Sequence, residues 1–419
     1  MLNINFIKQN ADFVKERLLF KGFKDINLVD DLIDASKDKH ALQQKSELIQ
    51  YEINQVSTQI GVLFKNGEDV TKLKASISPL KQDLVVLVED IRQLEDKIQN
   101  ILYQLPNLPN EEVPYGESAE QNEVVYQEVV NTEKAPLAQY DLIEKYNLVN
   151  FELGSKITGR GFPVFIGDGA KLQRALTQYF LDFNTNAGYL EYIPPFMVNE
   201  DSALATGQLP DKDGQMYYME KDELYLIPTA EVPVTNVYRD TIIKESDLPI
   251  KMTAHSPCFR REAGSFGKEV RGLNRVHQFE KVEIIQIAHP EKSETALNEM
   301  VEHVKNLLES LELPYRILKL CSHDMSFTSA ITYDFEVWSP GQQMWLEVSS
   351  VSNFNTYQTH RMKCRFKDQN GKMQNPHSLN GSALALPRIY AALIETFQTE
   401  RGIKIPEVLK PYFGKDYIE

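Results

Sequence analysis

Three things are scarce in this chain, and each shortage narrows what it can be. Cysteine is the first: Cys258, Cys321 and Cys364 are the only three in 419 residues, and none stands at metal-ligand spacing from another. That pattern gives no sign of a zinc site or a disulfide framework and fits a reducing compartment. Long apolar runs are the second. Nothing approaches the roughly 18 residues of a membrane span, and the opening MLNINFIKQNADFVKERLL lacks a signal-peptide core. The cytoplasm is the expected location, with no membrane partner. Positive charge is the third. Lys and Arg number 45 against 60 Asp and Glu, and the net −15 argues against sequence-blind binding of DNA or any other nucleic acid through bulk charge. A local basic patch is compatible with that total.

Periodicity is what the chain has in plenty. Residues 1 to about 25 predict one short amphipathic helix, with Ile7, Ala11, Val14 and Leu18 on its packed face. Leu42, Ile49, Ile53, Val56, Ile60 and Leu63 then follow heptad spacing, with Ser46 in the missing seat. After Asn66-Gly67-Glu68-Asp69, the positions Leu73, Ile77, Leu80, Leu84, Leu87, Ile91, Leu94, Ile98, Ile101 and Leu105 alternate gaps of four and three. Two such stripes joined by a short turn predict an antiparallel coiled-coil hairpin over about 30–105. Pro79 falls inside the second stripe, and we expect Ser78 to cap a fresh helix with Pro79 as its first residue, a kink being the alternative. The hairpin is nearly neutral, nine Lys/Arg against eleven Asp/Glu from Asp34 to Leu105, with Lys65, Lys72, Lys74 and Lys81 near its tip and little arginine. Periodicity alone fits a dimerisation scaffold as well as a binding arm. Residues 106–136 are acidic and punctuated by Pro and Gly, hence a linker, and 137–419 form the larger domain.

The stretch from His255 to Ala288 carries the chemistry. It reads as a strand, a charged loop with Gly264, Gly267 and Gly272, and a second strand. Arg260 and Glu262 share one parity. On the return, Arg275, His277, Phe279, Lys281 and Glu283 share a face opposite Val276, Val282 and Ile284. A strand face with so many charges is either a wetted edge or the floor of a charged-ligand site. Arginines for phosphate, an aromatic ring for a base and carboxylates for an amine make a coherent set for the second.

This stretch resembles motif 2 of the class II aminoacyl-tRNA synthetases, and the chain from its first residues to beyond Arg388 resembles the bacterial-type seryl-tRNA synthetases. The resemblance implies an α+β fold: a seven-or-so-stranded antiparallel sheet flanked by helices, preceded by a tRNA-binding domain (1–105) whose arm grips the long variable arm of tRNA across a homodimer. It implies ATP and Mg²⁺ as cofactors, and L-serine with tRNA(Ser), and tRNA(Sec) where present, as partners. Arg260 is implied to hold the α-phosphate, Glu262 the adenine amino group, Arg275 the outer phosphates and Phe279 the adenine ring beside Val276. Glu283 faces the serine hydroxyl.

Other segments extend the match. Tyr189–Met197 reads as a motif 1 strand ending in Pro194-Pro195, and ATGQLP at 205–210 precedes the serine-binding loop. In LIPTAEVP, Thr229, Ala230 and Glu231 correspond to the loop that closes over serine; in isolation the tripeptide also fits a capping threonine with a solvent glutamate. Glu347, Val348, Ser349 and Ser350 resemble the ATP-binding strand, with Glu347 and Ser350 as oxygen ligands for Mg²⁺. LNGSALALPRIYAALIE resembles motif 3, placing Arg388 against adenine and the γ-phosphate and Ser382 against serine. Three departures stand out: His360 where the family carries arginine, and Ala383 and Pro387 where relatives often carry glycine. The expected reaction is adenylate formation followed by transfer to tRNA, with Arg260, Glu262, Arg275 and Arg388 as its catalytic side chains. Its rivals are an amino-acid:carrier-protein ligase on the same fold, which would lack the arm, and a non-catalytic coiled-coil tRNA-binding paralogue, which would have lost motif residues.

Overall fold

The computed structural model describes residues 1–131, 133–211, 214–262 and 271–419. The chain forms two compact units. One comprises Met1–Leu19 with Phe23–Pro106, and the other Phe20–Gly22 with Asn107–Glu419.

The first unit is helical: α1 (Ile4–Gln9), α2 (Ala11–Phe20), α3 (Asn27–Lys65) and α4 (Thr71–Gln104). The single N-terminal helix expected from periodicity is two. Asn10 leaves helical geometry at φ −133°, yet Ile7, Val14 and Leu18 all remain buried. The long helices meet along the heptad seam. Ile49, Ile53, Ile77 and Leu87 are its buried centre, and Leu42, Val56, Ile60, Leu80 and Leu84 pack around them. A two-helix seam has no third neighbour to cover it, so its flanks stay wet. At the tip, Gly67 takes φ +77°, and Asp69 accepts from the Thr71 amide (2.9 Å) and hydroxyl (2.5 Å), setting the start of α4. At about 1.5 Å per residue, the 34 residues of α4 span roughly 50 Å. Pro79 neither caps a new helix nor ends one: α4 runs through it. Its missing N–H deprives the Ala75 carbonyl, and Ala75 is exposed, so water can take the vacant acceptor.

The second unit is built on an eight-stranded sheet: β1 (Glu123–Gln127), β2 (Leu190–Glu191), β3 (Ile250–Phe259), β4 (Gln278–Ala288), β5 (Tyr315–Lys319), β6 (Ile331–Ser339), β7 (Met344–Asn353) and β8 (His377–Ala385). The spatial order is β1-β5-β6-β7-β8-β4-β3-β2. Every pair is antiparallel except β2 with β3. The edge strand β1 comes from the segment that composition marks as linker. The long strand expected at Tyr189–Met197 is interrupted at Pro194-Pro195: only Leu190–Glu191 joins this sheet, and Met197–Val198 pairs with Leu224–Leu226 instead. The motif 3 segment opens on the nine-residue β8.

Three helices, α5 (Asp168–Asn186), α6 (Ser293–Ser310) and α7 (Leu386–Thr396), share one apolar core with the sheet. Leu172, Leu176 and Phe180 of α5, Met300 and Val304 of α6 and Ile389 of α7 belong to it, with Val282 and Ile284 of β4. Strand parity then decides the rest. Ile285 and Ile287, of the opposite parity on β4, join a second cluster with Met252 and Ala254. Phe279, Lys281 and Glu283 share that second parity and face away from the helices. No described helix is long and apolar enough to cross a membrane.

Candidate active site

A cavity of about 630 Å³ opens on the face of the sheet away from those helices, within the second unit. Its walls come from the ends of β3 and β4, from β7 and β8, and from the first turn of α7. Two register shifts lie beside it, one between Lys281 and Glu283 against β8, the other between Phe335 and Glu336 against β7. Such bulges re-aim side chains without ending a strand.

Arg260, just past β3, donates its amide to the His277 carbonyl (2.9 Å), which locks the two chain ends together. Its guanidinium lies 5.2 Å from the centre of the Phe279 ring, a cation–π distance, and its Nε donates to Pro228 O (3.4 Å). Arg275 Nη1 donates to Glu262 Oε2 at 3.3 Å. Regular β4 begins only at Gln278, so the parity read for Arg275 and His277 breaks down there. His277 turns out of the cavity, stacks on Phe162 and pairs through Nδ1 with the Tyr217 hydroxyl (3.0 Å), whereas Val276 turns in. Gly264 and Gly267 lie outside the described residues. Gly272 has φ +71°, and a Cβ there would sit 2.0 Å from the Gln139 amide.

A buried charged cluster occupies another part of the wall. Glu283 is 1 % exposed and Lys281 6 %. Lys281 Nζ lies 2.6 Å from Glu283 Oε2, the Thr229 hydroxyl donates to the same oxygen (3.0 Å), and Asn380 Nδ2 donates to Oε1 (3.1 Å). A buried pair survives its desolvation only when its remaining lone pairs are satisfied, and these donors do that. Glu231 starts the short helix Glu231–Thr235 and accepts from Gln358 Nε2 at 2.6 Å. Burial, with Glu283 nearby, pushes its carboxyl up to about 7. Ala230 does not line the cavity; it packs with Val234 and Met252 in the second apolar cluster. Ser382 does line it, and its carbonyl accepts from the Ser349 hydroxyl (2.6 Å).

Arg388 sits in the first turn of α7, after Pro387, and is held by three acceptors. Nε donates to Asn274 O (3.0 Å), and Nη1 to Glu347 O (2.9 Å) and Glu347 Oε2 (3.4 Å). Glu347, Val348, Ser349 and Ser350 of β7 all border the cavity. Across the ladder from Ser350 stands Asp334, whose carboxyl burial and the Glu347 charge raise well above the usual range, against a Ser350 hydrogen bond. His360 lies on the short helix Tyr357–Arg361 with its Nδ1 buried, while the guanidinium of neighbouring Arg361 donates to the carbonyls of Leu204 (3.0 Å) and Leu209 (3.2 Å).

Sequence reasoning gave Lys281 a place on the charged face but no partner, and gave Asn274, Asp334, Gln358 and Asn380 nothing. A signal existed for Asn380, which shares strand parity with Ser382 two positions on. Gln358 carried none, because its contact with Glu231 spans 127 positions.

Comparison with known proteins bears on both units. Residues 1–109 match the family model described as the seryl-tRNA synthetase N-terminal domain, and residues 216–397 match the tRNA synthetase class II core domain (G, H, P, S and T). The chain is 45 % identical to the serine–tRNA ligase of Akkermansia muciniphila, covering 100 % of this chain and 99 % of that one. It is 43 % identical to that of Salinibacter ruber, covering 99 % and 98 %. Among solved structures, seryl-tRNA synthetase from Pyrococcus horikoshii complexed with ATP superposes with a TM-score of 0.91 at 30 % identity, covering 99 % of each chain. With its helical hairpin, antiparallel sheet and charged cavity, this chain is an enzyme that belongs to the seryl-tRNA synthetase family, the serine–tRNA ligases of class II.

Proposed function

We propose that the chain activates L-serine with ATP and transfers the seryl group to the 3′ end of tRNA(Ser), and of tRNA(Sec) where a cell contains it. The observation that carries this reading is the cavity itself: cationic groups gather at Arg260, Arg275 and Arg388, and a buried carboxylate cluster, Glu231 and Glu283, adjoins them. In the first step a serine carboxylate oxygen attacks the α-phosphorus, and the bond to the β-phosphate oxygen breaks with its electron pair leaving on pyrophosphate. In the second, a terminal ribose hydroxyl of tRNA attacks the seryl carbonyl and AMP leaves.

No side chain need become a nucleophile; positioning and charge neutralisation carry the rate. Arg260, beside Phe279, meets the α-phosphate while the ring stacks on adenine. Arg275 exchanges Glu262 for the outer phosphates, which frees Glu262 for the adenine amino group. Arg388 caps the γ-phosphate end. Glu231 and Thr229 receive the serine ammonium, and Glu283, held by Lys281 and Asn380, takes the hydroxyl with Ser382 nearby.

The residues present fit Mg²⁺. Glu347 and Ser350 offer oxygen donors of the kind a hard cation prefers, and Asp334 Oδ1 beside them has no hydrogen-bond partner. Among the described residues no group of three His, Cys, Asp or Glu could hold a metal by itself, so phosphate oxygens would complete the shell. When bound, the ion neutralises charge on the departing pyrophosphate. Exposed apolar side chains at Leu190, Ile193, Phe196 and Met197 support a homodimer through this segment; Ile193 is 87 % exposed. The cytoplasm, where its substrates reside, is the proposed location.

ATP–pyrophosphate exchange screened over all amino acids tests the reading: serine alone should support it, and Arg260→Ala should abolish it, a loss of about 3 kcal/mol or more if it resembles removal of an oxyanion donor. Exchange at an unchanged rate in the variant, or dependence on another amino acid, overturns it.

A further inference from the structure

Lys21 is an unusual residue to bury. It is 8 % exposed, and burial pushes its pKa down to about 7. Its three N–H donors go to three backbone carbonyls, those of Asn107 (3.2 Å), Phe327 (3.3 Å) and Ser329 (2.7 Å). A methionine would fill the space without the desolvation cost, so the hydrogen bonds are what the position supplies. Asn107 grips the same loop. Its amide donates to Phe327 O (3.0 Å), and its Nδ2 donates to Thr328 O (2.9 Å) and Phe354 O (2.8 Å). Three consecutive carbonyls, 327 to 329, are thus held by two side chains 86 positions apart.

The placement of these two residues gives the clamp its meaning. Residues 20–22 and residue 107 are where the chain passes between the unit that contains the hairpin and the unit that contains the cavity. The loop they hold reaches the cavity, which Ser326, Thr328 and Phe354 line. Thr328 also rests on the turn at Gly207, where φ is +87° and a Cβ would lie 2.2 Å from Thr328 Cγ2. The preceding Thr206 carbonyl accepts from Gln358 Nε2 (3.2 Å), the nitrogen that also donates to Glu231. A continuous set of contacts therefore runs from Lys21 and Asn107, through loop 326–329 and the Gly207 turn, to Glu231.

We propose that Lys21 and Asn107 are positioning residues for the amino-acid end of the cavity, fixing loop 326–329 so that the segments leading into and out of the hairpin set the shape of the serine pocket. This rests on the assignment of serine to the Glu231–Glu283 cluster and of tRNA to the hairpin. The test is serine-dependent exchange by the full chain. Lys21→Met and Asn107→Leu are each expected to raise the KM for serine about tenfold, as loss of buried hydrogen bonds would, with the KM for ATP and kcat changed less than about twofold. Lys21→Arg, which keeps donors at the position, should recover part of the serine KM. A variant that lowers kcat or the folded fraction while leaving serine KM unmoved overturns the proposal, because a purely structural residue behaves that way.

If neither apolar variant folds, amide hydrogen exchange on the wild-type chain decides. Adding a full-length serine tRNA transcript should alter exchange in residues 324–330 together with 20–23 and 104–108. A change confined to the hairpin overturns the proposal. Wild-type protein without serine-dependent exchange would instead refute the assignment of the substrate, a separately readable outcome.

Discussion

Glu231 is the residue whose charge state the fold controls most directly. Its carboxyl is pushed from 4.5 up to about 7, first by burial and then by Glu283. The sign follows from which state holds the proton. Below pH 4.5 the group is protonated folded or unfolded and nothing is lost. As pH rises towards 7 the unfolded chain has released a proton that the folded one retains, so up to about 3 kcal/mol of stability disappears across that window. Serine reverses the preference, because its ammonium favours the carboxylate. Calorimetric titration should therefore show serine binding tightening by up to about tenfold per pH unit as pH rises towards 7 and levelling above it. Glu231→Gln should flatten that profile.

Glu283 makes a different prediction. Removing it both empties the hydroxyl side of the pocket and strands the buried Lys281 ammonium. Glu283→Ala should raise the KM for serine, erode discrimination against alanine and spare ATP binding, while urea unfolding shows a loss of about 3–5 kcal/mol. Adding Lys281→Met should restore stability without restoring selectivity. A collapse of ATP affinity with selectivity intact would show that the wrong ligand has been assigned.

Among the elements, α4 is the instructive one. A proline nine residues into a 34-residue helix ought to end it, yet Ile77 before it and Leu80 and Leu84 after it keep their places in the seam. The seam holds the helix together across a gap in its own hydrogen bonding, on a face where water reaches the freed carbonyl. Pro79→Ala should return the bond to Ala75 and stabilise this part of α4 by at most about 3 kcal/mol. The measurement is amide exchange over residues 71–86, expected to slow, with serine-dependent exchange of pyrophosphate unchanged. On the sheet, β4 shows how one element serves two purposes: even positions 282 and 284 complete the core under the helices, and odd positions 279, 281 and 283 furnish the site. A one-residue slip would bury the charges and expose the core, so the register that folds the sheet also aims the chemistry.

For the molecule as a whole, the hairpin closes on itself and the sheet unit contains the entire cavity. Replacing residues 38–101 with a short Gly/Ser linker retains Lys21 and Asn107. It should leave pyrophosphate exchange near normal while charging of tRNA falls steeply. The salt dependence of kcat/KM for tRNA should also weaken, because Lys65, Lys72, Lys74 and Lys81 would no longer release counterions from phosphate. Equal charging by both forms over a salt series would make the hairpin a scaffold. Loss of exchange together with charging would mean that it supports the fold.

By itself the sequence determined whatever rests on local repetition or on a contiguous string. Heptads need only the helical period, so the seam positions Leu42, Ile49, Ile53, Val56, Ile60, Ile77, Leu80, Leu84 and Leu87 were legible residue by residue. Arg260, Glu262, Phe279, Glu283 and Arg388, each read in a short segment whose residue types match the chemistry, all line the cavity. What the tertiary structure alone decided depends on distant partners. Glu231 acquires its raised proton affinity from burial and from Glu283, against the Gln358 hydrogen bond; Lys281 finds its counter-charge only once β4 is pleated; and Lys21 and Asn107 meet at the carbonyls of residues 327–329. Even Pro79 belongs to this second group, since its fate was settled by packing against the opposite helix. Local rules lost there for one physical reason: burial and long-range contact supply energies of several kcal/mol, more than the propensities that a linear reading can weigh.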